Sequence, residues 1–377
     1  MKPSIFSEIG PLEKVFVYSP GEEHNLVLPS DIKPFVFEKD KIIENENFLL
    51  FDDIIDLKIA QKQHEIFMDI INFYKQDACI DIRKDLLNIA KEKDINSKFP
   101  LINLMYPRDI AAIIGESIFL TSSSSLVRRA ENHLSESFFS DHPVYQTCEI
   151  VDFKKIGKGL SIEGGDIFVI NNDIVLIGVS ERTSKKAIEL IIPYIFNQSF
   201  KYVIALDLPK ERAMMHLDTI FTQISNKEGI LFNHENYNIE NLSVYIASKD
   251  SKNQKLVKHS LNFMNTFKEL GLDFKMISCG GLDSHFQLRE QLTDGSNSFV
   301  LESGKIIMYN CNHNTILELE KNNYKHITSD LFYKNPLTFE KILRSDSKVV
   351  ISINASELVK GRGGPRCMTL PIKRGKM

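Results

Sequence analysis

The sequence predicts an α/β fold in which one hairpin–helix–strand unit recurs about five times. Such recurrence implies a closed, quasi-symmetric array spanning residues 1–377 as a single domain, not a chain of separate domains. Three observations lead there. Short β-rich runs come in pairs split by turn residues. Each pair is followed by a helical period and another short apolar run. Apolar residues make up 43% of the 377 and charged residues 25%, the profile of a soluble globular chain with material for a large core.

Near the start, residues 15–18 and 48–51 are expected as strands ahead of a helix over about 59–73 and a strand over 79–82. Residues 39–47 are polar and poorly patterned, and are expected as a flexible loop. An apolar pair of strands falls within 111–120. The clearest unit follows: 166–170 and 174–179 flank Asn171-Asn172-Asp173, a strong hairpin signal. Hydroxyls at Ser180, Thr183 and Ser184 then announce a helix through Ala187, Leu190, Ile191 and Ile195, and 202–206 returns as a strand. Residues 219–225 and 230–232 form a further hairpin. Residues 298–301 and 305–309 flank Glu302-Ser303-Gly304, with a helix over 315–321 and a strand over 325–328.

Several function classes are excluded by composition. The net charge of -4, with both signs scattered, leaves no basic footprint for nucleic acid. Five cysteines (79, 148, 279, 311 and 367) are far apart, odd in number and without metal-ligand spacing, so neither a zinc site nor a disulfide framework is expected. The opening MKPSIFSEIG is too short and polar for a signal peptide. The apolar run at 188–196 falls well short of the roughly 20 residues that span a bilayer. The expected location is the cytoplasm.

Four polar, Gly-rich segments have the composition to meet at one face of the array: 103–109, 163–166, 216–218 and 361–367. In Gly361-Arg362-Gly363-Gly364-Pro365-Arg366-Cys367-Met368, glycines and a proline set an unusual backbone path. Two arginines lie within five residues of the thiol and are expected to favour thiolate. A free cysteine is more often a small buried hydrophobe, the reading kept for the other four. A cysteine nucleophile needs a proton-transfer partner. Met215-His216-Leu217-Asp218 supplies one; read as a strand, it would point His216 and Asp218 to the same face. The bland alternative is a solvent-facing pair. Glu163-Gly164-Gly165-Asp166 places two acids around glycines that let backbone approach a ligand, where a solvated turn is the alternative. Arg108-Asp109 alone would be a surface ion pair. Together, Asp109, Glu163, Asp166 and Asp218 around one cysteine and one histidine exceed what acyl transfer needs. Such a surplus suits a planar cation with several N–H donors, a guanidinium.

These residues resemble the arginine deiminases of the guanidine-modifying (pentein) superfamily. The resemblance runs nearly end to end: SEIGPLEKVFVYSPG, LLFDD, AQKQHEIF, NLMYPRD, SIEGGD, IGVSERTS, MHLDT and GRGGPRCMTLPIKR. It implies a five-bladed α/β propeller of ββαβ units with pseudo-fivefold symmetry. It implies hydrolysis of free L-arginine to citrulline and ammonia through a covalent thiouronium, with no metal or other cofactor. By position, Cys367 would be the nucleophile, His216 the general acid/base and Glu163 its orienting carboxylate. Asp109 and Asp218 would grip the guanidinium, with Asp166 in support. Asn103, Arg128, Arg182 and Arg362 would hold the α-carboxylate end, and Leu50 would cover the substrate. The implied partner is a small molecule, neither nucleic acid nor membrane, with a homo-oligomer left open.

Two features depart from the family pattern. Pro107 stands where threonine usually precedes the Arg-Asp pair, beside Tyr106 in place of phenylalanine; Pro107 removes a backbone donor. Residues 84–100 are too few for the extra helical bundle common in the family. Amidino transfer to an amine, or deimination of another guanidine compound, is the alternative enzyme reading. A catalytically silent propeller-shaped binding protein is the remote one.

Overall fold

The computed structural model describes residues 2–38 and 41–377. Five small mixed sheets repeat one pattern, an antiparallel hairpin whose second strand takes a further strand in parallel. Leu370–Arg374 pairs antiparallel with Leu12–Val17, which pairs parallel with Cys79–Asp81. Ala111–Ile114, Ser117–Leu120 and Ile150–Asp152 follow the same order. So do Ile167–Asn171, Ile174–Val179 and Tyr202–Asp207, a sheet extended by Val244–Ser248 and Val257–Lys258. Phe221–Gln223, Glu228–Leu231 and Lys275–Ser278 form the fourth. In the fifth, Phe299–Glu302 and Lys305–Tyr309 precede Lys348–Ile353, with Tyr324–Thr328 at the edge. A helix connects hairpin to parallel strand in each, as parallel pairing demands. Among the described residues no ladder of paired strands joins these sheets into one closed sheet.

Local sequence explains the connecting helices. Leu57–Tyr74 is capped by Asp56, whose side chain accepts the Ile59 N–H. Its buried face, Ala60, His64, Phe67, Ile70 and Ile71, follows helical spacing. Fully burying a side chain such as Phe67 contributes about 1.5–3 kcal/mol. Lys185–Asn197 is capped by Ser184 and buries Ala187, Ile188, Ile191, Ile192 and Ile195.

Three sequence expectations are corrected here. Residues 48–51 are not a strand: Leu50 has φ of 68°, a left-handed conformation that interrupts β pairing. Within 39–47, Lys41–Glu44 pairs antiparallel with Phe35–Glu38, because Phe35, Phe37, Ile42 and Ile43 favour extended pairing; Lys39 and Asp40 lie outside the described residues. His216 and Asp218 do not share a strand. His216 is extended, but Leu217–Thr219 is a 3-10 turn, so the two side chains diverge. Residues 84–100 hold only the remainder of the helix Arg83–Glu92 and a connecting segment.

Candidate active site

Three 3-10 turns bring the chemistry together. Pro107–Asp109, Gly164–Asp166 and Leu217–Thr219 each present buried polar side chains immediately before a strand. Pro107 sits at the first position of its turn, where no N–H partner is required. Gly164 and Gly165 permit the convergence. A Cβ on Gly164 would lie 2.0 Å from the Arg108 carbonyl oxygen, and one on Gly165 would lie 2.6 Å from His216 Nδ1.

The turns and the 361–367 segment line a narrow, partly open cavity. Nine residues singled out in the sequence line it: Cys367, His216, Glu163, Asp109, Asn103, Arg128, Arg182, Arg362 and Leu50. Asp218 and Asp166 are fully buried beside these residues. Asp218 Oδ2 accepts from the Cys367 thiol at 3.5 Å and from Arg366 Nη1 at 2.9 Å. Asp166 accepts from Ser180 Oγ at 2.6 Å and from the Leu217 N–H at 2.8 Å.

His216 Nε2 lies 2.8 Å from Glu163 Oε2, leaving Nδ1 3.8 Å from Asp109 Oδ1. Burial disfavours the imidazolium, but Asp109, the Glu163 hydrogen bond and Asp166 outweigh it and raise His216 to about 10. Glu163 is correspondingly pulled down to about 2: burial opposes this, and the His216 bond, Arg182 and Arg128 prevail. Ser123 Oγ donates to the other Glu163 oxygen. Asp109 Oδ1 accepts the Gly165 N–H at 3.0 Å, and Oδ2 accepts Arg128 Nη1 at 2.7 Å. Ligand atoms of Asp109, Glu163 and His216 fall within 4.8 Å of one another. Each carboxylate oxygen of that trio is already hydrogen-bonded, so it forms a preorganised acid/base network.

Cys367 is held against expectation. Its two neighbouring arginines predict a favoured thiolate, yet the Arg366 guanidinium is engaged by Glu8 and Asp218 and lies over the Phe168 ring. Burial, then Asp218, Asp109 and Asp294, raises the thiol well above its ordinary value; Arg366 only partly opposes them. The Arg108-Asp109 surface pair is also corrected. Both are buried and turn apart, Arg108 Nε donating to the Arg366 carbonyl while Asp109 takes Arg128.

Besides Ser123, two groups escape a reading of the sequence. Asn297 Oδ1 accepts the amides of Arg366 and Cys367 at 3.0 and 3.1 Å, and its Nδ2 lies 3.1 Å from Cys367 Sγ. Glu8 pairs with Arg366 at 2.8 Å from the far end of the chain. Among the buried groups here, Asn103 Nδ2 and Arg362 Nε are donors without hydrogen-bond partners and Asp218 Oδ1 is an acceptor without one, while Arg182 Nε lies 3.2 Å from Glu181 Oε1. Unmatched donors together with an unmatched carboxylate oxygen suit an amphoteric guest.

A model of the arginine deiminase family matches residues 71–374. The arginine deiminase of Borrelia garinii subsp. bavariensis is 30% identical, covering 98% of this chain and 97% of that one. The chain belongs to the arginine deiminase family. The Listeria innocua arginine deiminase is 28% identical over 99% of this chain and 98% of its own length. The alignment with the Borrelia member runs over 441 residues against 377 here, so that member carries segments that this chain lacks. Among solved structures, the N-terminal domain of a cyanobacterial arginine dihydrolase, bound to product, superposes with a TM-score of 0.59 at 13% identity. It covers 96% of this chain and 97% of that one. The Microseira wollei amidinotransferase SxtG gives 0.57 at 10% identity, covering 100% of this chain and 98% of that one. These likenesses establish a shared α/β fold. No helix among the described residues is long and apolar enough to cross a membrane.

Proposed function

We propose that this chain hydrolyses free L-arginine to L-citrulline and ammonia, as a single catalytic domain whose five repeated units stand around a pseudo-fivefold axis. One observation carries the reading: Cys367, the His216–Glu163 pair and Asp109 line one cavity together with Asn103, Arg182 and Arg362, of which Asn103 Nδ2 and Arg362 Nε are unmatched donors. Those donors suit an α-carboxylate. Arg128 is tied to Asp109 and Glu131, so its first role is to orient Asp109. The buried, unpartnered Asp218 Oδ1 and the Asp109 carboxylate receive the guanidinium.

The electrostatics give the order of events. Arginine arrives protonated, since its pKa is about 12.5–13.8. Its charge neutralises the field of Asp218 and Asp109, which removes the main charge cause of the raised Cys367 pKa, and the thiol releases its proton to solvent. The thiolate adds to the guanidinium carbon. His216, charged at neutral pH, gives its proton to a departing nitrogen, and ammonia leaves a thiouronium on sulfur. Neutral His216 then takes a proton from water. The resulting hydroxide adds to the same carbon, the C–S bond breaks with its electrons returning to sulfur, the sulfur takes up the proton of the new hydroxyl, and citrulline departs. Proton transfer of this kind contributes about 10²–10⁴-fold. Purified protein incubated with arginine should release ammonia and citrulline in equal amounts. Absence of both from about pH 5 to 9, or ornithine formed only with an added amine, would refute the proposal.

A further inference from the structure

We propose that Arg212 is a positioning residue that latches the 48–53 segment over the cavity and thereby sets the affinity for the guanidine substrate, an inference that rests on the function proposed above. Arg212 lies on the 3-10 turn Arg212–Met214, just ahead of His216. It makes three separate contacts to one segment. Its Nη2 donates to the Leu50 carbonyl at 3.0 Å and to Asp52 Oδ1 at 2.7 Å, and its guanidinium lies 4.5 Å from the centre of the Phe48 ring.

The segment gripped this way is strained. Leu50 has φ of 68°, an unfavourable backbone for a residue with a Cβ, and such conformations persist only where neighbours over-determine them. The carbonyl that Arg212 holds belongs to that residue. Leu50 also lines the cavity, so one contact fixes both the strained backbone and the side chain above the substrate site. Asp52 extends the network, since its other oxygen lies 3.6 Å from Arg362 Nη1 and its amide donates to the Lys360 carbonyl at 2.8 Å. The latch therefore ends on an arginine expected to receive the substrate carboxylate. Arg212 itself does not line the cavity. It acts through Leu50 and Asp52, not on reacting atoms.

A protein whose binding-competent form is only partly populated shows affinity reduced by that fraction. Loosening the latch should weaken binding and leave the chemical step alone. Arg212→Ala and Asp52→Asn should each raise KM for arginine by about ten-fold with kcat within two-fold of the parent. Arg212→Lys keeps the charge but loses the planar fork, and should fall between. Latching can also be read without turnover. The chain has no tryptophan, so Phe48→Trp installs a single reporter, whose emission should shift to the red when Arg212→Ala is added. If wild-type protein fails on arginine, the functional proposal falls while this fluorescence still tests the latch. The latch is refuted if neither Arg212→Ala nor Asp52→Asn raises KM beyond two-fold. It is equally refuted if kcat falls at unchanged KM, or if the emission of the installed tryptophan does not move.

Discussion

Asp218 holds one carboxylate oxygen 3.5 Å from Cys367 Sγ, so the proposed nucleophile sits beside a negative charge that favours its thiol form. The same oxygen is 2.9 Å from Arg366, which balances the carboxylate and shields the sulfur from bearing the full repulsion. Asp218→Asn removes the negative charge and leaves Arg366 with Glu8 alone. The Cys367 pKa should fall, and alkylation by iodoacetamide near neutral pH should accelerate several-fold over the parent. Turnover of arginine should nonetheless drop by at least about 10²-fold, because the carboxylate charge proposed to receive the guanidinium is lost.

Glu163→Gln tests the acid/base pair through both activity and stability. His216 has its folded pKa raised from 6.5 to about 10, so its contribution to stability is complete below pH 6.5 and is lost as pH rises through 10. Glu163 is depressed from 4.5 to about 2, so its contribution is complete above pH 4.5 and is lost as pH falls through 2. The Tm gap between parent and variant should therefore be widest between pH 4.5 and 6.5 and narrow toward pH 10. Breaking a buried pair from one side costs about 3–5 kcal/mol, and kcat should fall by about 10²–10⁴-fold.

Gly165→Ala places a methyl carbon 2.6 Å from His216 Nδ1, the nitrogen left free by the Glu163 bond. The ring has to move. A loss of about 10²-fold or more in kcat is expected with the Glu163 bond weakened, and a variant of parental activity would show that Nδ1 is not the proton-transferring atom.

Asn297→Ala removes the acceptor for two consecutive amides and the donor beside Cys367 Sγ. Each buried group left unsatisfied costs about 1–3 kcal/mol, so Tm should fall measurably. With the thiol no longer positioned, kcat should fall more than KM changes.

The proposed site cluster is legible in the sequence because chemistry and backbone constraint coincide in short motifs. The glycines around Cys367 and in 163–166 mark where chains approach closely, and the acids beside them mark what is bound. The repeated hairpin–helix–strand order is legible from periodicity in the same way. Other features are not. Asn297, Glu8 and Ser123 are isolated polar residues whose partners lie far away in sequence, and only the folded chain brings them together. Residues 48–51 look like a strand because Leu49 and Phe51 are buried, yet the left-handed turn at Leu50 is imposed by its tertiary neighbours, Arg212 among them. The environment of Cys367 misleads for a related reason. Nearby arginines in sequence suggest a cationic pocket, but Arg366 is neutralised by Glu8 and Asp218, and the remaining field is acidic.

The most direct measurement is mass spectrometry of protein quenched in acid during turnover of arginine. The Cys367 peptide should carry an added mass equal to arginine less ammonia, absent from Cys367→Ala and trapped in greater amount when Glu163→Gln slows the water step. Citrulline formed while Cys367 remains unmodified at every quench time, or turnover surviving in Cys367→Ala, would contradict covalent catalysis by this sulfur.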